Sequence, residues 1–116
     1  MLDAGLFQEL RESLGNELPV VAGIYTRFLG NAGRSLEEAR RQAGATRAAT
    51  LHTLKGSAAM VGAARIASVA GKLQESLVDA PAEVAETALR ELDGELALFR
   101  DALGVHLKSL GYQTQA

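Results

Sequence analysis

The chain of 116 residues holds two histidines, and one of them, His52, stands where packing does not ask for it. Wound as a helix at about 100° per residue, the segment around it turns Leu51, Leu54, Ala58 and Val61 into one narrow sector. His52 lies about 140° from the centre of that sector and faces outward. Lys55, three residues on, reaches the same surface. Gly56, one turn beyond His52, shares its face, flanked by Ala48, Ala49 and Ala59. A glycine inside a helix costs about 0.5–1 kcal/mol relative to alanine, so Gly56 asks for a reason. Close approach supplies one, because small neighbours let another protein's surface reach a nitrogen of the imidazole. The alternative is a surface histidine beside a tolerated glycine. The coincidence of histidine, lysine, glycine and a small flanking face on one side of one helix favours the first reading.

Composition removes other chemistries. The 12 basic and 14 acidic residues give a net charge of −2, and only five residues are aromatic. That leaves no electrostatic footprint for nucleic acid and few rings for bases to stack on. With no cysteine there is no thiolate metal site, no cysteine nucleophile and no disulfide framework. No apolar run approaches the roughly 20 residues of a membrane span. The start, MLDAGLFQEL, lacks the basic and apolar stretches of a signal peptide. The expectation is a cytoplasmic domain without membrane contact.

The elements that must position His52 are helical throughout. Ala and Leu occupy 21 and 18 positions, and no stretch alternates with period two. A short helix is expected over about 3–14, with Leu6, Phe7, Leu10 and Leu14 on one side, before a turn at Gly15-Asn16. Pro19 opens a long second helix whose stripe is Leu18, Val21, Tyr25, Phe28, Ala32, Leu36, Ala39 and Ala43. Gly44 is expected to close it, and Gly30 and Gly33 to kink or loosen it. Thr46 can cap the third helix, which ends at Gly62. A fourth begins near Ala63 or Ala64, with Ile66, Val69, Leu73 and Leu77 inward. Asp79 or Ala80 caps a fifth with Pro81 in its first turn; its apolar side is Ala85, Leu89, Leu92, Leu96, Phe99, Leu103, Leu107 and Leu110. Short connections favour antiparallel neighbours. The expected architecture is all-α: one domain over 1–116, an antiparallel up-down four-helix bundle over about 18–110 with a short additional N-terminal helix, and a flexible tail over 111–116.

The run Leu51-His52-Thr53-Leu54-Lys55-Gly56-Ser57-Ala58-Ala59-Met60-Val61-Gly62-Ala63 resembles the signature of histidine-containing phosphotransfer (HPt) domains, His-x-Leu-Lys-Gly-Ser followed closely by Gly-Ala. The rest of the chain is similar more loosely, in a short first helix, a Leu-Gly turn, a Phe-Leu pair on the second helix and a long last helix.

The resemblance implies a phosphorelay intermediate. His52 would take a phosphoryl group from an aspartyl phosphate on a response-regulator receiver domain and pass it to the aspartate of another. Imidazole suits this, being partly neutral near pH 7 with a free lone pair on one nitrogen. Phosphoryl transfer has a loose transition state, so a protein contributes mainly position and charge stabilisation. Lys55 matches the cation that stabilises the added charge, and Gly56 the glycine that clears space for the receiver's loop. Ser57 matches a small polar position; its hydroxyl bonding back to the preceding turn is the slightly favoured reading. Gln74 matches an acceptor that orients the imidazole, although a boundary glutamine reads nearly as well. Arg47 and Arg65 could touch a phosphoryl group or an acidic receiver, or could be solvated surface. His106 reads as a boundary histidine without function.

The implied partners are receiver domains and a hybrid sensor histidine kinase, met by a monomer. The domain would need no cofactor of its own, with Mg supplied by the receiver. The similarity also reaches the histidine-bearing domain of chemotaxis-type kinases, phosphorylated by a separate ATP-binding domain; the Leu-Lys-Gly-Ser form looks closer to the relay type. The chain shows no glycine-rich nucleotide cradle of its own, so it reads as a phosphocarrier rather than an enzyme. A di-iron bundle would need Glu-x-x-His pairs, and Ala49 and Leu103 stand three residues before the two histidines.

Overall fold

The computed structural model describes residues 2–112, which form five helices and no strand. These are α1 (Ala4–Ser13), α2 (Leu18–Arg41), α3 (Gly44–Met60), α4 (Ala64–Ser76) and α5 (Ala82–Ser109). Helix α2 packs against α3 and α5, and α4 packs against the same two, so the four longer helices close a ring of neighbours. Helix α1 lies against α2. At about 1.5 Å per residue, the 28 residues of α5 are about 42 Å long, which nearly spans the 45 Å long axis of the molecule.

Helix α1 begins where Asp3 can cap it, its carboxylate accepting the Leu6 N–H at 3.0 Å. Helix α2 runs unbroken through Gly30 and Gly33. Its buried stripe of Val21, Ala22, Tyr25, Phe28, Ala32, Leu36 and Ala39 outweighs the weak helix propensity of the two glycines. The helix ends earlier than its periodicity predicts. Gln42 caps it, Ala43 is exposed, and Gly44 opens α3 instead of closing α2. Thr46 therefore sits inside the first turn of α3, whose cap position belongs to Ala43.

Arg47 explains that junction. It is 6% exposed, the one buried charged residue among those described. Its guanidinium donates to the carbonyls of Ala39 at 3.0 Å, Leu77 at 3.4 Å and Gln42. Carbonyls in the last turn of a helix lack intrahelical donors, and one five-donor fork serves the ends of both α2 and α4. Arg47 is thus a clamp between helix ends, neither solvated surface nor a group aimed at a ligand.

Helix α3 closes as its sequence predicts. Gly62 takes a φ of +75°, with Ala63 N–H bonding to Ala58 O at 2.8 Å and Gly62 N–H to Ala59 O at 3.2 Å. A Cβ at Gly62 would also stand 2.8 Å from Leu6 Cδ2 and 3.0 Å from Asp3 Cβ, so the start of α1 presses directly on this turn. Helix α4 buries Ile66 and Ala70, with Leu77 buried at its cap; Val69 and Leu73 are half-buried. Pro81 occupies the cap of α5 rather than its first turn.

Leu110 is partly exposed instead of lying in the core. The two residues just after it turn back onto the end of α5. Gly111 takes a φ of +84°, and the Tyr112 N–H returns to Leu107 O at 3.0 Å while its side chain packs against the core. Residues 113–116 of the expected tail lie outside those described. Four of the five aromatics join inside: Phe7 stacks on Tyr25 at 5.4 Å, and Phe99 meets both Tyr25 and Phe28.

Candidate functional site

Helices α3 and α4 are joined only by Val61, Gly62 and Ala63, and this short turn sets their register. His52 on α3 meets Gln74 on α4, and Lys55 on α3 lies over Gly71 on α4. A step of three residues up one helix matches a step of three down the other, so the two helices run antiparallel here. His52 is exposed, and its Nδ1 stands 3.3 Å from Gln74 Oε1. An amide oxygen can only accept, so this contact suits the neutral tautomer that carries its proton on Nδ1 and keeps a lone pair on Nε2. Gln74, half-buried against the bundle, holds the ring by one nitrogen and leaves the other available.

Around the ring the surface is low. Gly56 is exposed, and a Cβ built on it would meet nothing within 4 Å. The bundle's own packing therefore makes no use of this glycine. Ala49 and Ala59 are exposed beside it and Ala48 is half-buried. Lys55 is exposed, its aliphatic stem laid across α4: a Cβ at Gly71 would come 3.3 Å from Cδ, 3.4 Å from Cε and 3.7 Å from Nζ. Gly71 escaped the sequence reading. Its signal was the one that exposed Gly56, a glycine inside a helix, here one turn from Gln74.

The other candidates lie apart. Ser57 is exposed on the α2 side of α3, where it lines a groove of about 230 Å³ with Ile24, Phe28, Met60 and Val61. Among the described residues its hydroxyl makes no bond back along the helix; Thr53, a turn earlier, makes that bond to Ala49 O at 3.2 Å. Arg65 is committed to Glu95 on α5 through two bonds of 3.0 and 2.8 Å. That bidentate hydrogen bond, with the guanidinium's charge, holds the Glu95 carboxyl below the usual carboxylate range against the opposing effect of desolvation, and raises Arg65 in turn. His106 places its ring edge-on to Phe7 at 4.6 Å. Among the described residues no three His, Asp or Glu side chains gather as a metal-ligand set, and no helix is long and apolar enough to cross a membrane.

The site therefore presents an exposed imidazole with one nitrogen facing an amide oxygen, an exposed lysine one turn along the same helix and an exposed glycine beside them. Compared with known families, residues 5–102 match the family model described as the Hpt domain. No curated protein and no solved structure matches the chain. The match takes in α2, α3 and α4 whole, nearly all of α1 and most of α5, with every residue of the His52–Gln74 and Lys55–Gly71 pairs, and the chain belongs to the Hpt domain family, the histidine phosphotransfer modules of phosphorelays.

Proposed function

We propose that His52 receives a phosphoryl group from the aspartyl phosphate of a response-regulator receiver domain and delivers it to the aspartate of another receiver. The observation that carries this reading is the exposed His52 ring with its Nδ1 held 3.3 Å from Gln74 Oε1. The Nε2 lone pair attacks phosphorus as the bond from phosphorus to the aspartyl oxygen breaks, and the carboxylate leaves with the electron pair. The Nδ1 proton stays in place throughout, so the phosphorylated ring is cationic and the Gln74 carbonyl faces its N–H. In the second transfer a receiver carboxylate attacks phosphorus, and the nitrogen recovers its lone pair. Lys55 offsets charge on the phosphoryl oxygens, and Gly56 lets the receiver's loop come close. Ser57 contributes at most to the rim of the contact.

In this reading the chain works as a monomeric phosphocarrier, one domain over 1–116 built as an up-down four-helix bundle with α1 added. It brings no cofactor; Mg belongs to the receiver. Its setting is the cytoplasm, and its partners are receivers and a hybrid sensor histidine kinase. Incubation with a phosphorylated receiver should label His52 with an acid-labile phosphoryl group. His52→Gln should keep the helical circular dichroism of the parent and take no label; full labelling of that variant would end the assignment. A parallel incubation with a kinase catalytic domain and ATP separates relay from direct phosphorylation.

A further inference from the structure

We infer that Gly71 is a positioning residue for Lys55: it gives the lysine stem a flat seat across α4 and so keeps the ammonium on the side of α3 that carries the His52–Gln74 pair. The inference rests on His52 as phosphoacceptor and adds to that reading how the neighbouring cation is held.

Nothing in the backbone demands a glycine at this position. Gly71 lies in the interior of α4, and its φ is outside the left-handed region. A glycine there forfeits helix stability that alanine would supply. What occupies the space of the missing side chain is Lys55, with Cδ at 3.3 Å, Cε at 3.4 Å and Nζ at 3.7 Å from the position a Cβ would take. Gly56 is the instructive contrast, since the corresponding space there is open. One glycine keeps the approach to the imidazole clear, and the other is filled by the lysine. Lys55 makes no ion pair among the described residues, so no carboxylate orders its ammonium. A free lysine stem carries large rotamer entropy, and contact with α4 is what restricts it. The register of the α3–α4 turn does the rest: Gly71 precedes Gln74 by one turn as Lys55 follows His52 by one, which brings both seats to the same edge of the helix pair.

The test uses the full chain carrying Gly71→Ala, Gly71→Leu, Lys55→Ala and the Lys55→Ala/Gly71→Leu double change, each checked by circular dichroism and urea unfolding. The leucine should lift the lysine off its seat and slow transfer from a phosphorylated receiver by about threefold to tenfold, a part of what one charge-assisted contact is worth, since the ammonium is displaced rather than removed. The slowing should fall on the rate at saturating receiver and leave the half-saturating receiver concentration in place. Gly71→Ala, which moves the flexible stem by only a few tenths of an ångström, should slow transfer less and leave the fold at least as stable as the parent. In the Lys55→Ala background the leucine should add no further slowing. Transfer by Gly71→Leu at the parent rate, or equal slowing with and without Lys55, overturns the inference while leaving the phosphocarrier reading intact. A parent chain that takes no label on His52 overturns the phosphocarrier reading itself, and the role of Gly71 in transfer falls with it.

Discussion

The two imidazoles of this chain show how little a side chain's chemistry is fixed by its type. His106, in the last turns of α5, sets its ring edge-on to Phe7 at 4.6 Å and an interplanar angle of 85°. Phe7 is fully buried and in turn stacks on Tyr25. There the ring extends an aromatic cluster and completes apolar surface. His52 stands exposed on α3 among alanines and a glycine, with one polar partner. Around His106 the neighbours fill volume, and around His52 bulk has been removed. A nitrogen becomes useful to another protein through an oriented partner and a clear approach, and only the second region provides both.

The strongest way to break this comparison is to empty the region around His106. Phe7→Ala should cost about 3–5 kcal/mol, since it deletes a fully buried ring that touches both Tyr25 and His106. The loss is read as a fall in the urea midpoint at unchanged slope. The folded fraction should still label at His52 as the parent does. A loss below about 1 kcal/mol, far under the usual range for such a deletion, would show that α1 is not seated by this cluster. The contrast between the two regions would then collapse.

A smaller effect isolates the cluster's buried hydroxyl. The Tyr25 hydroxyl is buried without a hydrogen-bond partner, and burial, aided by the charge of Asp3, pushes its pKa from 10.0 up to about 12. Below pH 10 the phenol is neutral in both folded and unfolded chains. Above it the unfolded chain ionises first, so stability falls as the pH rises from 10 towards about 12. The parent should lose at most about 2 kcal/mol through this one group over that window. Tyr25→Phe should remove that part of the alkaline loss and leave stability at pH 7 within about 1 kcal/mol, because no hydrogen bond is broken. Equal alkaline unfolding of parent and variant would show that the hydroxyl reaches water.

The outward face of His52 was legible from spacing and its partner Gln74 from the resemblance to the Hpt family, whereas what surrounds them was less so. The three-four rhythm of Leu51, Leu54, Ala58 and Val61 turned His52 outward, and the short turn at Gly62 then brought Gln74 within reach. Arg47 shows where residue type and spacing disagree. It stands four residues before Leu51 on the same inward stripe, yet its charge argued for solvent. Packing followed the stripe, because three backbone carbonyls from two helix ends converge on the guanidinium. That convergence spans positions up to 30 residues apart and leaves no mark in local periodicity. Tyr112 was hidden for a similar reason: the turn that folds it back onto the core needs Gly111 at positive φ beside a carbonyl offered by Leu107. Gly71 carried a readable sign, an interior glycine, but the lysine that fills its space comes from another helix.

The smallest change sharpens the comparison most, because it converts the surroundings of one histidine towards those of the other. Gln74→Ala removes the only side-chain partner that the described residues give the His52 ring and leaves the ring exposed. Folding should hardly respond, with a shift within about 0.5 kcal/mol for a partly exposed contact. Transfer should slow by about twofold to tenfold, the worth of one neutral hydrogen bond that fixes tautomer and orientation. The slowing should appear in the rate at saturating receiver, since Gln74 acts on the ring rather than on docking. His106→Gln, measured beside it, should change neither that rate nor the extent of labelling. Transfer by Gln74→Ala at the parent rate would mean that exposure alone separates the two histidines and that the oriented amide adds nothing to the reactive nitrogen.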